Sequence, residues 1–307
     1  MINLSSTLLL LFTFFVLIGC DTQVSTPTNA PSTAILPATP DTNTQQNQNL
    51  AHFLTAAEKA FIPLAESGEA LQKSITDFTS NPSLETLNSA KTALAKAHHH
   101  YMLVQVFQNI DLFNPEFDLK QSQPTVIHPL AIRLDQHPVI PGYLDAVPNF
   151  PMSGLTFSEQ TLSTDFLNNE HQFSDSAYVA IGFHALELML TGGMNQSPEA
   201  RVLNFSHLKG EAKKGTPGYR RSLYVQLLTT LIKDDLTRLS NAWGKSEGFY
   251  PQTLNQLSQG KSDHLIKQAY SMEEQTLSQL KTLKDDHHDD AIEERKAQLV
   301  LFLKDQI

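Results

Sequence analysis

The sequence predicts an all-α fold of helix bundles, arranged as two bundles packed against each other with a long irregular connection. Apolar residues recur at steps of three and four along several long segments, which is the period of an amphipathic helix. This period is lost between Ile110 and Leu155, where seven prolines occur. Irregular segments of that length are uncommon in compact proteins and usually shape a ligand site, so we expect this one to have a functional role.

Each predicted helix follows from its apolar spacing and its end signals. Asn-Pro-Ser at 81–83 ends one helix and starts the next, and Gly-Gly at 192–193 ends another. The predicted helices cover about Phe53–Phe78, Leu87–Val104, Phe157–Asn169, Ala177–Leu190, Gly218–Trp243, Thr253–Leu283 and Asp290–Asp305. The polar stretch before Pro217 divides them into two halves, at about 51–192 and 215–307.

Residues 1–20 predict a lipoprotein signal peptide. Leu8–Ile18 is an apolar run broken only by Thr13, and it is too short for a comfortable membrane span. It ends in Leu-Ile-Gly-Cys, which resembles a bacterial lipobox with Cys20 as the lipidated residue. We therefore expect a lipid anchor on Cys20 that holds the protein to the inner or the outer membrane, facing the periplasm. An ordinary cleaved signal peptide with a chance cysteine is the alternative.

Composition separates a tether from a folded part and excludes several kinds of chemistry. Residues 21–50 are rich in Thr, Pro, Asn, Gln and Ser and predict a disordered tether, followed by a folded part at 51–307. Cys20 is the only cysteine, which excludes an internal disulfide, a thiolate metal site and a cysteine nucleophile. The chain has 32 acidic and 22 basic residues, and no basic cluster resembles a nucleic-acid surface, so we expect no nucleic-acid partner.

The GxHxxE sequence at 182–187 is the most informative motif. Between Ala177 and Leu190 the only polar side chains are the Tyr178 hydroxyl, His184 and Glu187. Residues three apart share one face of a helix, and glutamate is almost never fully buried unless it is paired. The pattern therefore predicts a buried imidazole and carboxylate side by side, with a partner still to be found.

Three separated motifs resemble the imelysin-like family, which is classed as a peptidase family and linked to bacterial iron uptake. They are the GxHxxE sequence, the Asp-Gln-His-Pro-Val-Ile-Pro-Gly-Tyr-Leu-Asp segment at 135–145, and Arg-Arg-Ser-Leu-Tyr at 220–224 with the helix that runs on to Trp243. Together they span most of 51–307. The resemblance implies two antiparallel helix bundles with a metal site between them that includes His184 and Glu187.

An imidazole and a carboxylate suit iron or zinc, and the family's link to iron uptake makes iron the expected metal. The resemblance also suggests a pocket on the second helix. Many relatives carry a tyrosine followed four residues later by a glutamate, whereas this chain has Tyr101 and Gln105. His98 and Gln108 stand where relatives carry arginines. The missing carboxylate weakens the case for a hard metal, and His98 offers a softer ligand instead.

Three further residues complete the candidate pocket. Asp135 is a candidate acid from the irregular segment, with a loop-capping role as an equal alternative. Arg220 and Arg221 are candidates to bind an anionic ligand or to neutralise Glu187. In the second case His184 and Glu187 would form a structural pair and not a metal site.

These observations leave three functions open. The first is a metal- or ligand-binding envelope lipoprotein in iron acquisition, and the second is a metallopeptidase. A third is a docking module for another envelope protein, with a degenerate site. Hydrolysis by a metal ion needs three protein ligands, an open position and a general base. One histidine with a glutamate at i+3 does not supply that set, so we expect binding and not catalysis.

Overall fold

The structure is a computed structural model that describes residues 42–112, 127–192, 196–206, 215–243, 247–283 and 296–297. In these ranges the regular structure is helical, apart from one isolated bridge between Val147 and Phe150. This confirms the all-α prediction. No helix in the described ranges is long and apolar enough to cross a membrane. The signal peptide, Cys20 and the tether up to residue 41 lie outside the described residues.

The helices have the following bounds. They are α1 Thr42–Ser80, α2 Leu84–Leu103, α3 Gln105–Gln108, α4 Ile127–Leu134, α5 Pro141–Leu144, α6 Thr164–Glu170, α7 Phe183–Thr191, α8 Pro198–Phe205, α9 Pro217–Trp243, α10 Phe249–Gln256 and α11 Gln259–Leu283, with 3₁₀ turns at Asn109–Leu112 and Leu155–Phe157. The described helices belong to one compact unit, Asp41–Ile307. The division into bundles at 51–192 and 215–307 stays a prediction.

Helix α1 is the central packing element, and it packs most extensively against α9 and α2. Its apolar stripe, which includes Phe61, Leu64 and Leu71, is fully buried. Gly68 allows a close approach, because a Cβ atom there would lie 3.3 Å from Leu236 of α9. The stacked rings of Phe61 and Trp243, 5.7 Å apart, join the same two helices further along. The two halves of the sequence are therefore held together by α1 and α9.

Several helix boundaries differ from the predicted ones. Helix α1 begins at Thr42, so residues 42–50, which were expected to belong to a disordered tether, are helical and continuous with the rest of α1. The helix expected at about Phe157–Asn169 starts only at Thr164, where Ser163 provides the N-cap. The segment predicted as Thr253–Leu283 is broken at 257–258 into α10 and α11. Most of Asp290–Asp305 lies outside the described residues.

The largest difference concerns the GxHxxE segment. The apolar run from Ala177 predicted a helix over its whole length, but residues 177–182 are irregular and α7 begins at Phe183. The irregular connection before it contains the short helices α4 and α5, with residues 113–126 outside the described part. The site is therefore built where α7 begins and α4 ends.

Candidate metal site

Gly182 sets the position of α7 relative to α4. Its φ is +96°, a conformation that side chains rarely adopt, and a Cβ atom would lie 2.5 Å from the carbonyl oxygen of Arg133. The same Cβ would lie 2.7 Å from the carbonyl oxygen of Leu134. Only glycine allows the first turn of α7 to approach the end of α4 so closely. This contact places His184 beside Asp135, the residue that follows α4.

Asp135 joins two histidines through one oxygen atom. Its Oδ1 lies 2.7 Å from Nε2 of His98, on α2, and 3.0 Å from Nε2 of His184, on α7. The two imidazole rings are perpendicular, with centroids 5.2 Å apart. The His98 ring also stacks on Phe183 at 4.7 Å, which fixes its plane. Three separate elements therefore converge on one carboxylate oxygen.

These three residues could hold a metal ion. One ligand atom from each of His98, Asp135 and His184 lies within 4.8 Å of the other two. Two imidazoles and one carboxylate are the donors found in non-haem Fe²⁺ and in zinc sites. Around a tetrahedral ion with bonds of about 2.0–2.1 Å, ligand atoms lie roughly 3.3 Å apart. The observed contacts are shorter, so a metal would require the side chains to separate by a few tenths of an ångström.

The three side chains differ in exposure. The His98 side chain is buried, whereas those of His184 and Asp135 are 19% and 31% exposed. Solvent therefore reaches the group from the side of α7 and the 135–145 segment. The residues present fit a borderline divalent metal in donor type, number and access.

Asp135 and His184 stabilise each other's charged forms. Burial opposes ionisation of Asp135, but hydrogen bonds from His184 and His98 hold its pKa well below the ordinary value. Burial also opposes protonation of His184, yet hydrogen bonds with Asp135 and Glu187 raise its pKa to about 9. At neutral pH His184 therefore carries a proton that a metal ion would have to displace.

Glu187 occupies a different environment from the one predicted. Its side chain is 51% exposed, and its Oε2 lies 3.6 Å from Nδ1 of His184. The prediction of a buried carboxylate was wrong, because α7 buries Phe183, Leu186 and Met189 and leaves position 187 on its outer side. Glu187 faces the nitrogen of His184 opposite to the one near Asp135. A carboxylate in that position commonly orients a metal-binding histidine. Its role as a direct ligand stays a prediction.

The pocket residues of α2 and α3 lie on the inner side of the group. Tyr101 is fully buried and contacts Phe183, with ring centroids 5.5 Å apart. Its hydroxyl lies beside the side chains of Gln105 and Gln108, and burial raises its pKa well above the ordinary value. Gln108 is buried, whereas Gln105 is partly exposed. The structure therefore brings these residues close to the cluster of Asp135 and the two histidines.

Arg220 and Arg221 have other partners. Arg220 Nε donates to the carbonyl oxygen of Thr156 at 2.5 Å. Arg221 Nε donates to both carboxylate oxygens of Asp145, at 3.0 and 2.8 Å. Among the described contacts neither arginine pairs with Glu187, so the structural pairing considered for Glu187 is not formed. The arginines hold α9 against the segment of residues 145–156.

Two residues near the site had no role in the sequence analysis. Asp145 also accepts a hydrogen bond from the fully buried Arg201 at 3.1 Å, and it thereby ties α8 and α9 to the end of α5. His137 lies at the surface with its ring 5.3 Å from that of His184. Both belong to the 135–145 motif, so the motif itself was the signal. Its spacing did not reveal which side chains pair.

Comparison with known proteins identifies the family of the chain. The sequence profile of imelysin matches residues 57–298, a range that contains the cluster of His98, Asp135 and His184 and the helices that carry it. The chain belongs to the imelysin family. No curated protein matches the chain. Membership in the imelysin family confirms the resemblance read from the three motifs, while the metal and its use are not specified by the match.

Proposed function

We propose that this imelysin-family protein is a cell-envelope lipoprotein that binds iron at His98, Asp135 and His184 and serves iron acquisition. The observation that supports this most strongly is the convergence of two imidazole nitrogens on Asp135 Oδ1, at 2.7 and 3.0 Å. One carboxylate oxygen can accept two hydrogen bonds, so the support for a metal site comes from the type and number of the converging groups. Two histidines from different helices on one carboxylate supply the donors of a metal site.

The choice of metal follows from the charge and softness of the donors. The cluster has one carboxylate, and Gln105 stands where many relatives carry another. A single negative charge with two imidazoles favours Fe²⁺ or Zn²⁺ over Ca²⁺ or Mg²⁺, which prefer sites made of oxygen. We therefore expect Fe²⁺ as the bound ion, with Zn²⁺ as its main competitor.

The location rests on the N-terminal sequence. A lipid on Cys20 would attach the chain to a membrane, and the polar residues after it would let the helical unit stand away from the surface. The protein would then collect the metal in the periplasm and pass it to an envelope partner. Labelling with a radioactive fatty acid tests the anchor, since Cys20→Ala should abolish the label.

A metallopeptidase is the second candidate, and one observation favours it. Two histidines and one carboxylate meet the ligand number of hydrolytic zinc sites, which the GxHxxE sequence alone did not. The general base is the weaker part of this candidate, because Glu187, which would have to act as the base, is paired with His184 Nδ1. Cleavage of a peptide library by the zinc-loaded protein, lost in His184→Ala, would support this candidate over binding alone.

Elemental analysis of the purified full chain tests the proposal. Wild type should retain about one iron or zinc ion per chain after anaerobic loading, and His98→Ala and His184→Ala should retain almost none. His264→Ala is the matched control, because His264 is exposed on α11. If wild type binds no metal, the cluster is structural, and the docking module becomes the better account.

A further inference from the structure

His171 joins the two segments that carry Asp135 and His184. It follows α6, and its Nε2 lies 3.2 Å from the carbonyl oxygen of Ile132, in the last turn of α4. On the other side of the ring, the backbone N–H of Ala180 donates to Nδ1 at 3.3 Å. Ile132 precedes Asp135 by three residues, and Ala180 precedes His184 by four. One imidazole therefore connects the backbone just before each of the two proposed ligands.

The two partners fix the protonation state of the His171 ring. A carbonyl oxygen can only accept a hydrogen bond, so Nε2 must carry a hydrogen atom. A backbone N–H can only donate, so Nδ1 must be free of one. His171 is therefore held as the neutral tautomer with its hydrogen on Nε2. A second proton, on Nδ1, would point at the N–H of Ala180 and break that hydrogen bond.

The regular hydrogen bonds of a helix do not pair either of these backbone groups. The carbonyl group of Ile132 belongs to the last turn of α4, where carbonyl oxygens lack an intrahelical donor. Ala180 is fully buried in the irregular segment before α7, and its carbonyl oxygen accepts from the Tyr224 hydroxyl of α9 at 2.8 Å. A buried backbone N–H also needs a partner, and His171 supplies it for Ala180.

The surroundings of His171 also favour its neutral form. Burial lowers its pKa below 6.5, the hydrogen bond to Ile132 opposes this change, and the positive charge of Arg133 on α4 adds to it. The carboxylate of Glu170, the residue before His171, is held by the Tyr143 hydroxyl of α5 at 3.0 Å. Besides the proposed metal ligands, the ionisable groups on the described segments around the ring are Arg133, Tyr143, Glu170, Asp175, Tyr178 and Tyr224.

We propose that His171 is a positioning residue of the metal site: its neutral ring holds α4 against the start of α7, and its protonation separates Asp135 from His184 and releases the metal. The inference rests on the proposed metal site and adds its control by pH. Gly182 makes its close approach to the end of α4 at the same junction. A displacement of Ala180 therefore also displaces the first turn of α7, which carries His184.

Nuclear magnetic resonance of the imidazole nitrogens tests the tautomer and its titration. In the metal-free full chain at about pH 7, two-bond ¹H–¹⁵N correlations should show a histidine with its hydrogen on Nε2, and these signals should be missing from His171→Asn. They should titrate with a midpoint below pH 6.5, and the amide signal of Ala180 should move with them. A His171 ring that carries a hydrogen on Nδ1 at about pH 7 overturns the inference.

The affinity for Zn²⁺ across pH tests the release of the metal. Competition with a chelator would compare wild type with His171→Asn, which keeps an acceptor near the position of Nδ1 but cannot be protonated. Between about pH 7 and about pH 5, wild type should lose about tenfold more affinity than this variant, a size common for changes around metal ligands. His264→Asn is the matched control, because His264 is exposed on α11 and its replacement should leave the wild-type pH profile unchanged.

The possible results separate this inference from the proposed metal site. A larger loss of Zn²⁺ affinity in wild type than in His171→Asn, together with the expected tautomer, supports it. Equal pH profiles in these two proteins overturn it and leave the metal site intact. Absence of Zn²⁺ binding in wild type overturns both. If His171→Asn does not fold, His171→Gln, which keeps a donor for Ile132 and cannot be protonated, decides in its place.

Discussion

His98 and His184 meet at right angles, with ring centroids 5.2 Å apart, and direct their Nε2 atoms at the same oxygen of Asp135. One histidine lies on α2 and the other in the first turn of α7. Their meeting depends on the end of α4, which contributes the carboxylate between them. The relationship is therefore a property of tertiary packing, and disturbing any of the three elements should disturb metal binding.

Replacing Asp135 by Asn should lower the affinity for Zn²⁺ or Fe²⁺ by about 100-fold, because it removes the only carboxylate of the cluster while nearly preserving its volume. Isothermal calorimetry measures the change. Asp234→Asn is the control, since Asp234 is exposed on α9 and has only a 3.7 Å pairing with its neighbour Lys233. Equal affinities for Asp135→Asn and wild type would exclude Asp135 as a ligand.

Replacing Gly182 by Ala should both destabilise the protein and weaken metal binding. The new Cβ would collide with the carbonyl oxygens of Arg133 and Leu134, and the φ of +96° disfavours any side chain. Strain of this kind costs about 1–3 kcal/mol in the free energy of unfolding, before the displacement of α4 is counted. Chemical denaturation measures the loss.

Gly260→Ala is the matched glycine control. Nothing lies within 4 Å of a Cβ at Gly260, which is exposed in the first turn of α11. Its substitution should change the free energy of unfolding by less than about 1 kcal/mol and leave metal binding unchanged. A similar, small effect at Gly182 would show that the contact between α4 and α7 is not tight.

Stability of the metal-free protein should fall as pH rises from about 6.5 to about 9. The folded state raises the pKa of His184 from 6.5 to about 9, so folding favours the protonated form. This contribution is fully present below pH 6.5 and is lost as pH passes through the folded pKa. Urea denaturation across this range should show the decline, and His184→Ala should make it shallower. An unchanged slope in that variant would assign the decline to other groups.

Metal affinity should change in the opposite direction over the same pH range. A metal ion must displace the proton of His184, so binding should strengthen with rising pH up to about 9 and then level off. Competition with a chromophoric chelator at several pH values measures this. Binding that does not depend on pH between 6.5 and 9 would argue that His184 is not a ligand.

Glu187→Gln should weaken metal binding by about tenfold, which is less than the loss in His184→Ala. The reason is that Glu187 lies 3.6 Å from Nδ1 of His184 and orients the ring, with its own side chain half exposed. Calorimetry on the two variants compares the losses. If Glu187→Gln abolishes binding as completely as His184→Ala, Glu187 is a direct ligand, as the motif first suggested.

Asp145→Asn should destabilise the protein without involving the metal ligands. Asp145 accepts hydrogen bonds from the buried Arg201 and Arg221, and removing its charge leaves two buried guanidinium groups without their counterion. Breaking a buried ion pair costs about 3–5 kcal/mol. Chemical denaturation should reveal this loss, while the metal affinity of the folded protein stays near that of wild type. A loss below 1 kcal/mol would indicate that the arginines find other partners.

The sequence predicted the helices well, because apolar periodicity is a local property. The long helices α1, α2 and α9 bury apolar residues that recur at steps of three and four, including Leu94 and Leu228. The sequence-based prediction failed where tertiary contacts decide the structure. Residues 177–182 are as apolar as a helix would be, yet Gly182 and its contact with α4 make them irregular.

The site was predicted only in part, because some of its residues stand out locally in the sequence whereas their contacts are tertiary. His184 stood out as a polar residue in an apolar run, and it does lie in the cluster. Its carboxylate partner was assigned to Glu187, which is near in sequence, whereas Asp135 provides the short contact. No local pattern relates Asp135 to His98 or His184, since the position of α4 depends on tertiary contacts such as its close approach to Gly182.

Anomalous diffraction tests the central claim most directly. Crystals of the protein grown anaerobically with Fe²⁺ would be measured on both sides of the iron absorption edge. The account predicts one strong peak bonded to Nε2 of His98, Oδ1 of Asp135 and Nε2 of His184. An iron peak elsewhere, or none while both histidines remain hydrogen-bonded to Asp135, would contradict it.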